Sequence, residues 1–455
     1  MKRILKENKK CYILLFLIII STFLISCNGV APTDFTITAT TGAGGSINPS
    51  GAIMVSDGGS QTFTIIPNEG YQVDDVLVDG ISEGSIATYT FINIDQDHTI
   101  QATFVLGVSV YKVNNVDTGI GYDTIQAAIN AALSGETIIV SPGTYYENII
   151  FNNKNITVRS SNPSDSDIVA ATIIDGGENG SVVRITGEDT STLQGFTIQN
   201  GNADYGGGIY VTNSSPTITG NTITSNEAGS SMDGGGGGIY VSYYSSPYSS
   251  PTITDNTITY NDAGYGGGIH ISSSNPNITG NTIADNIITD NTASYYGGGI
   301  YLYGSSPIVT GNTVTGNSAL EGGGIFLFNN HPFVTGNTVT GNTASAGGGI
   351  FLWISSYPFI TGNTINNNTA SDEGGGIAVT LDSDPVITDN YIHHNVADNG
   401  GGIFVDNTCS PAIGGTSSSD QEKFNTFCGN SADQIVPDDY PNNFIFGICF
   451  IFTSP

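Results

Sequence analysis

Apolar and polar residues alternate with a period of two over much of the chain, in short stretches. Successive side chains of a β-strand point to opposite faces, so this period predicts strands with one buried face. Four such stretches occur early in the chain, separated by turns rich in Gly, Asn and Pro. They cover residues 35–40, 61–66, 72–78 and 98–104. The first part of the chain is therefore predicted to be a small all-β unit.

A repeat that runs from about residue 193 to 408 is the strongest pattern in the chain. The motif Gly-Gly-Gly-Ile recurs at steps of 25 to 31 residues. Its isoleucines are Ile209, Ile239, Ile269, Ile300, Ile325, Ile350, Ile377 and Ile403. A repeat of this length without a helix predicts one coil of a β-helix. Leucine-rich repeats would show Leu-x-x-Leu-x-Leu, and a propeller blade would need about 40 residues.

Two further motifs divide each repeat into three short strands. A motif of the form Pro-x-Ile-Thr-Gly-Asn-Thr-Ile begins at Pro216, Pro251, Pro276, Pro307, Pro332, Pro358 and Pro385. A motif Asn-x-Ala begins at Asn226, Asn261, Asn291, Asn317, Asn342, Asn368 and Asn395. The predicted fold is all-β, a right-handed parallel β-helix with three strands per coil.

The alternation also predicts which side chains face the interior of the β-helix. It places Ile209, Val211 and Ile218 inside, with Tyr210 and Thr219 outside. One Asn per coil is predicted to occupy a column at a bend, where stacked amides bond from coil to coil. This column is Asn221, Asn256, Asn281, Asn312, Asn337, Asn363 and Asn390.

Residues 108–190 are predicted to cap the N-terminal end of the stack, before the regular coils of residues 193–408. The segment 122–133 has a helical pattern, with Asp123 as N-cap and Gly135 at the end. A strand and the sequence Pro-Gly-Thr-Tyr at 142–145 follow. This order resembles the N-terminal cap of pectin-lyase-like β-helices. Residues 409–455 are predicted to form the C-terminal cap.

The early β unit carries the motifs of a known repeat. Gly-Gly-Ser-Ile-Asn-Pro at 44–49, Pro-Asn-Glu-Gly-Tyr at 67–71 and Val-Asp-Gly at 78–80 occur in order. Residues 35–106 therefore resemble the divergent internalin B-type bacterial repeat domain. The resemblance implies a small β-grasp-like module that serves as a spacer or adhesive stalk.

The N-terminus has the layout of an export signal. A basic stretch precedes an apolar run from Tyr12 to Leu24, which is short for a bilayer span. The run ends in Leu-Ile-Ser-Cys at 24–27, which resembles the bacterial lipobox. Residues 1–26 are thus predicted to be a lipoprotein signal peptide. Lipidated Cys27 would anchor the chain to the bilayer at the cell surface, with residues 27–34 as a tether.

Charge narrows the possible partners. The formal net charge is −30, and five of the ten basic residues lie in the first ten positions. No Lys or Arg occurs between residues 185 and 422. Such a chain repels nucleic acid, so no nucleic-acid partner is expected.

The same scarcity of cations weighs against a polysaccharide lyase or hydrolase, which the pectin-lyase-like resemblance would otherwise imply. Lyases need a base and a positive charge near the uronate. Only Lys154, Arg159 and Arg184 lie in the early coils, and the polygalacturonase and pectinesterase motifs are absent. We therefore expect no catalytic residues. A carbohydrate-active enzyme and a purely structural surface protein stay as alternatives.

The residue after each Gly-Gly-Gly-Ile is usually aromatic and is predicted to face outward. The column reads Tyr210, Tyr240, His270, Tyr301, Phe326, Phe351, Ala378 and Phe404. Exposed rings at the coil spacing could bind an extracellular polysaccharide or a partner surface. The alternative is a structural ladder of rings that stack on one another.

Other candidate sites are weaker. Acids recur near the Asn-x-Ala turns, where stacked carboxylates could bind Ca²⁺, although solvated turn residues explain them as well. The five His have no metal-ligand spacing, and His393 and His394 are predicted to point to opposite faces of a strand. Of Cys409, Cys428 and Cys449, at most one pair can form a disulfide, and the sequence leaves the pairing open.

Overall fold

The computed structural model divides the chain into two compact units, residues 1–109 and 110–455. The parts that the structure describes are residues 34–68, 71–106, 112–229, 234–242, 250–272, 282–414, 425–430 and 435–436. The predicted signal peptide, the lipidation site Cys27 and most of the tether lie outside these residues. Within them, no helix is long and apolar enough to span a membrane.

The first unit contains two small sheets. The five-stranded sheet has the order Gly51–Ser56, Asp34–Thr41, His98–Leu106, Tyr71–Val78 and Ile81–Ser82. The three-stranded sheet has the order Gly45–Asn48, Gln61–Pro67 and Thr88–Phe91. Asp34–Thr41 pairs in parallel with His98–Leu106, and the other neighbours are antiparallel. Ile37, Phe63 and Ile100 are buried in the hydrophobic core of this unit, as the alternation predicts.

The second unit is a parallel β-helix built from three long sheets. Sheet I consists of Gly121–Tyr122, Val113–Asn115, Thr137–Val140, Thr157–Ser160, Thr192–Gln194, Thr217–Thr219, Thr252–Thr254, Thr282–Ala284, Ile308–Thr310, Phe333–Thr335, Phe359–Thr361, Val386–Thr388 and Ala412–Ile413. Sheet II consists of Gly143–Tyr146, Thr172–Asp175, Thr197–Gln199, Thr222–Thr224, Thr257–Thr259, Ile287–Thr289, Thr313–Thr315, Thr338–Thr340, Thr364–Asn366, Tyr391–His393 and Thr426–Cys428. Sheet III consists of Ile149–Asn152, Val183–Thr186, Ile209–Thr212, Ile239–Ser242, Ile269–Ser272, Ile300–Tyr303, Ile325–Phe328, Ile350–Trp353, Ile377–Val379, Ile403–Val405 and Ile435–Val436.

Short flanking strands between sheets II and III form a further layer. They are Asn202–Ala203, Glu227–Ala228, Asp262–Tyr265 and Thr292–Tyr296 in one group, and Thr343–Ala346 and Thr369–Glu373 in another. The Asn-x-Ala motifs lead into these strands. Their position matters for the site, because they run beside the outer surface of sheet III.

The interior of the β-helix is a continuous stack of aliphatic side chains. In one coil, Ile325, Leu327, Val334 and Val339 are fully buried in a core that extends from Val113 to Phe427. The predicted inward positions are thus confirmed. Each buried aliphatic side chain contributes roughly 1.5–3 kcal/mol to folding.

Two ladders of buried Asn side chains connect the coils. The first, at the bend between sheets I and II, is Asn221, Asn256, Asn286, Asn312, Asn337, Asn363, Asn390 and Asn425. The prediction of Asn281 in this column is wrong, since Asn286 bonds to Asn256 and Asn312. The second ladder, which the sequence analysis missed, is Asn226, Asn261, Asn291, Asn317, Asn342, Asn368, Asn395 and Asn430.

The triple glycines serve two different purposes. Gly322, the first of one triplet, has a φ of +64°, which favours glycine. Gly323 has no such backbone, but a Cβ atom there would lie 2.5 Å from the carbonyl oxygen of Thr343 in the next coil. Close approach of neighbouring coils, as much as turn geometry, therefore requires these glycines.

The N-terminal end of the stack carries the predicted helix in shorter form. Helix α1 spans Ile125–Ala131, and its N-cap is Thr124 rather than Asp123, because the Thr124 hydroxyl accepts a bond from the Ala127 N–H. The carboxylate of Glu147 accepts from the N–H groups of Ile125 and Gln126. A second short helix, α2, spans Ser166–Ala171.

The stack continues beyond residue 408. Ala412–Ile413, Thr426–Cys428 and Ile435–Val436 extend sheets I, II and III in turn. Cys428 belongs to a disulfide, and burial raises the pKa of the Cys409 thiol to about 11. The rest of the predicted C-terminal cap, including residues 437–455, lies outside the described residues.

Candidate functional site

The aromatic column after Gly-Gly-Gly-Ile lies on the outer side of sheet III, but it is not an exposed surface. Tyr240, His270, Tyr301, Phe326 and Phe351 are at most 7% exposed. Consecutive ring centroids are 4.9 Å, 4.6 Å, 5.3 Å and 5.2 Å apart along this run. Only the terminal members, Tyr210 and Phe404, are partly exposed. The prediction that the column is exposed is therefore wrong for the five central residues.

The flanking strands explain why these rings are buried. The ring of Tyr296 stacks on Phe326 with centroids 4.5 Å apart, and Tyr265 lies 5.4 Å from Tyr301. Tyr301, Phe326, Phe351 and Ala378 thus form a second apolar core outside the β-helix. The geometry agrees with the alternative hypothesis of the sequence analysis, a structural ladder of rings that stack on one another.

His270 is the polar member of this ladder. Neither of its ring nitrogens has a hydrogen-bond partner among the described residues. Burial lowers the pKa of His270 from 6.5 to about 3. The imidazole is therefore neutral in the folded protein over most of the pH range.

Replacing His270 by Phe is expected to stabilise the protein, most strongly in acid. Below about pH 6.5 the unfolded chain binds a proton at this imidazole that the folded chain excludes. The free energy of unfolding of wild type therefore falls by about 1.4 kcal/mol for each pH unit of acidification. At about pH 5 the gain from Phe is thus about 2 kcal/mol, and it shrinks above the unfolded pKa. Thermal unfolding across this pH range measures it. The control is His331→Phe, which replaces an exposed imidazole. If His270→Phe leaves the pH dependence of unfolding unchanged, as this control should, His270 is not a buried neutral imidazole.

A different set of rings forms the exposed aromatic surface, here called the ring face. It lies at the end of sheet III, at the following corner and at the start of sheet I. Its members are Tyr303, Phe328, His331, Phe333, Trp353, Tyr357 and Phe359. Tyr303, Phe333 and Phe359 are 41%, 49% and 44% exposed, which is high for large rings.

The ring face is ordered by the register of neighbouring coils. Tyr303, Phe328 and Trp353 are direct partners in sheet III, with centroids 4.9 Å and 5.2 Å apart. Phe333 and Phe359 are partners in sheet I and stack at 5.1 Å with planes 9° apart. The surface therefore presents aromatic groups at the coil spacing.

Sequence reasoning missed the ring face although its signal was present. The column that starts with Thr217 and Thr252 changes to Ile308, Phe333 and Phe359, and β-propensity does not require exposed Phe where Thr suffices. Exposed apolar groups in one contiguous region mark binding sites more often than isolated ones do.

A surface cavity lies beside Tyr210, the first ring of the aromatic column. Arg184 is the partner of Tyr210 in sheet III, and its guanidinium lies 4.6 Å from the Tyr210 ring centroid. Asp204 and Tyr205 also line this cavity, which has a volume of about 590 Å³.

The acidic turn residues do not converge on a cation. Among the residues that the structure describes, no group of three or more His, Cys, Asp or Glu side chains could hold a metal ion. Burial raises the pKa of Asp262, Glu321 and Glu373. The Ca²⁺ expectation thus gains no support from these carboxylates.

The two adjacent histidines lie on the same side of the chain, so the prediction of opposite faces is wrong. His393 ends its strand in sheet II, and His394 has a φ of +54°, which interrupts the alternation. The Nδ1 atoms of the two rings are 2.8 Å apart.

The fold and the surface features define a surface-type β-helix protein with a bacterial repeat module. Comparison with family models agrees. The description "Right handed beta helix region" matches residues 106–283, 179–353 and 279–436, and "Divergent InlB B-repeat domain" matches residues 35–107. The chain belongs to the right-handed β-helix family. No curated protein and no solved structure gives a significant match.

Proposed function

We propose that this protein is a non-catalytic attachment protein of the cell surface, which binds a neutral polysaccharide through the ring face. The single observation that carries the proposal is the run of outward rings, one per coil, on Tyr303, Phe328 and Trp353, of which Tyr303 is exposed and the other two are half-buried. The apolar C–H faces of sugar rings pack on aromatic side chains, and an extended polysaccharide can repeat this contact from coil to coil.

Charge favours a neutral ligand. The chain has a net charge of −30, and no Lys or Arg occurs between residues 185 and 422, where the ring face lies. Asp382 and Asp384 are in the coil next to Trp353 and Tyr357. An anionic polymer would meet repulsion there without a compensating cation.

Replacing the exposed Tyr303, Phe333 and Phe359 together by Ser is expected to weaken polysaccharide binding at least tenfold. Each aromatic contact contributes about 0.5–1.5 kcal/mol, and 1.4 kcal/mol corresponds to a factor of ten. A glycan array, followed by titration of the best ligand, measures the effect. The matched control replaces Tyr260, Ile287 and Leu320, which are 66%, 48% and 49% exposed and lie outside the ring face. Equal losses in both variants would rule out the ring face as the binding surface.

We also propose that lipidated Cys27 holds the protein on the membrane. The support is the Leu-Ile-Ser-Cys sequence after a basic and apolar leader. Cys27→Ala is expected to leave the protein unprocessed or to release it from membranes, because the acyl chains supply the anchoring energy. Membrane fractionation and intact mass detect this change. A variant that partitions and migrates like wild type would contradict lipidation.

An enzyme is the second candidate, and the cavity at Arg184 is the observation that favours it. A guanidinium, the carboxylate of Asp204 and two tyrosines line it, a set that could bind and polarise a sugar. If it acts as a lyase, polyuronate cleavage should give an unsaturated product that disappears in Arg184→Ala. We expect no such product.

A further inference from the structure

The corner that follows sheet III places one residue of each of several coils in the left-handed backbone region. This residue is the fifth, counted from the start of the sheet III strand, and its φ lies between +48° and +85°. In five coils it is Gly or Asn, the residue types that adopt this backbone most readily. They are Asn153, Gly187, Asn213, Gly304 and Asn329.

Two coils depart from this rule. The same position holds Ile354, with a φ of +48°, and Leu381, with a φ of +52°. A left-handed backbone is unfavourable for residues with a bulky side chain, most of all for a β-branched one. Burial does not offset this cost, since the two residues are 37% and 43% exposed. Strained backbone that folding does not require is typical of functional sites.

Ile354 and Leu381, here called the aliphatic pair, lie beside the ring face. Ile354 directly follows Trp353 in the chain. The Ser355 N–H donates to the Leu381 carbonyl at 3.1 Å, so the pair occupies neighbouring coils at the same corner. The pair therefore extends the ring face by one coil with aliphatic instead of aromatic side chains.

We propose that the aliphatic pair binds the acetyl methyl groups of a polysaccharide that contains acetamido sugars. This inference rests on the proposed function of the ring face and names the class of its ligand. Aromatic rings pack on the C–H faces of any neutral sugar. Exposed Ile and Leu side chains gain most from burying methyl groups, which an unsubstituted hexose lacks.

The surroundings favour an acetamido group over an acetyl ester. Asp382 follows Leu381 and is exposed. A carboxylate accepts hydrogen bonds, and the acetamido group has an N–H to donate, whereas an ester has none. The acetamido group is also uncharged, so it avoids the repulsion that an anionic substituent would meet on this acidic chain.

Calorimetric titration of the full chain with two oligosaccharides tests the proposal. The probes are β-1,4-linked oligomers of N-acetylglucosamine and of glucose, which share a linkage and differ in the acetamido group. Wild type is expected to bind the acetylated oligomer about fivefold more tightly or better. The double variant Ile354→Asn, Leu381→Asn should bind both oligomers equally and keep the wild-type affinity for the glucose oligomer.

Thermal unfolding of the same variant separates a binding role from a structural one. Asn tolerates the left-handed backbone, as Asn329 does in the preceding coil, so the double variant should have a Tm higher by about 2 °C or more. The matched control is Leu320→Asn, which replaces a residue that is 49% exposed and lies outside the ring face. This control should keep the wild-type preference for the acetylated oligomer.

The failures of this inference and of the proposed function are distinguishable. Equal affinity of wild type for both oligomers would overturn the role of the aliphatic pair and leave polysaccharide binding intact. An unchanged preference in the double variant would do the same, as would a lower Tm with equal loss of both ligands. If wild type binds neither oligomer, both the proposed function and this inference are contradicted.

Discussion

Replacing Phe326 by Ser is expected to lower the free energy of unfolding by about 3–5 kcal/mol, although this side chain lies outside the β-helix. Phe326 is fully buried against Tyr296, Tyr301 and Phe351. Truncation removes these contacts and leaves a cavity between sheet III and the flanking strands. The effect should therefore be comparable to truncation of a core residue such as Leu327.

Chemical denaturation measures this prediction, and the chain offers a matched control. Phe333 is also an outward Phe on a β-helix strand, but it is 49% exposed. Phe333→Ser should cost less than about 1 kcal/mol, as most surface substitutions do. Equal losses for Phe326→Ser and Phe333→Ser would show that the outer ladder does not contribute a second core.

Replacing Asn337 by Ala is expected to cost about 3 kcal/mol or more. Its Oδ1 accepts bonds of 2.9 Å from the backbone and side-chain nitrogens of Asn312. Its Nδ2 donates to the Val309 carbonyl and to Asn363. Alanine leaves several of these buried groups without partners, at about 1–3 kcal/mol for each unsatisfied group.

Thermal and chemical unfolding of Asn337→Ala should be compared with Asn202→Ala. Asn202 is exposed, and its side chain makes a single long bond of 3.4 Å to Glu227. Its removal should change stability by less than about 0.5 kcal/mol. If the Asn337 variant is as stable as this control, the ladder forms hydrogen bonds to the polar groups of the bend but does not stabilise the folded protein.

Much of the fold could be predicted from the sequence because each coil obeys a local rule. The period of two identified the buried side of each strand, and Ile325 and Leu327 lie inside as expected. The misplaced ladder residue, Asn281, arose where the motif occurs twice within a few residues. A constant spacing of five residues between the two ladders, as from Asn286 to Asn291, selects the correct one.

The site was harder to predict because it depends on contacts between coils. The alternation correctly put Phe326 on the outer side of sheet III, yet it contains no information that Tyr296 of the previous coil covers that side. Likewise, His394 adopts a left-handed backbone that a strand pattern does not reveal. Exposure, unlike the direction of a side chain, is set by what packs against it.

The unequal coil lengths have a consequence for how such a chain can evolve. Successive members of the first Asn ladder are 35, 30, 26, 25, 26, 27 and 35 residues apart, whereas the step from this ladder to the second is always five. Insertions therefore accumulate on two corners while the third keeps the register. Gene duplication of one unit would lengthen the stack by about 4.8 Å without disturbing either end. The length of the β-helix can thus change in steps of one coil, while the loops at the two variable corners diversify independently.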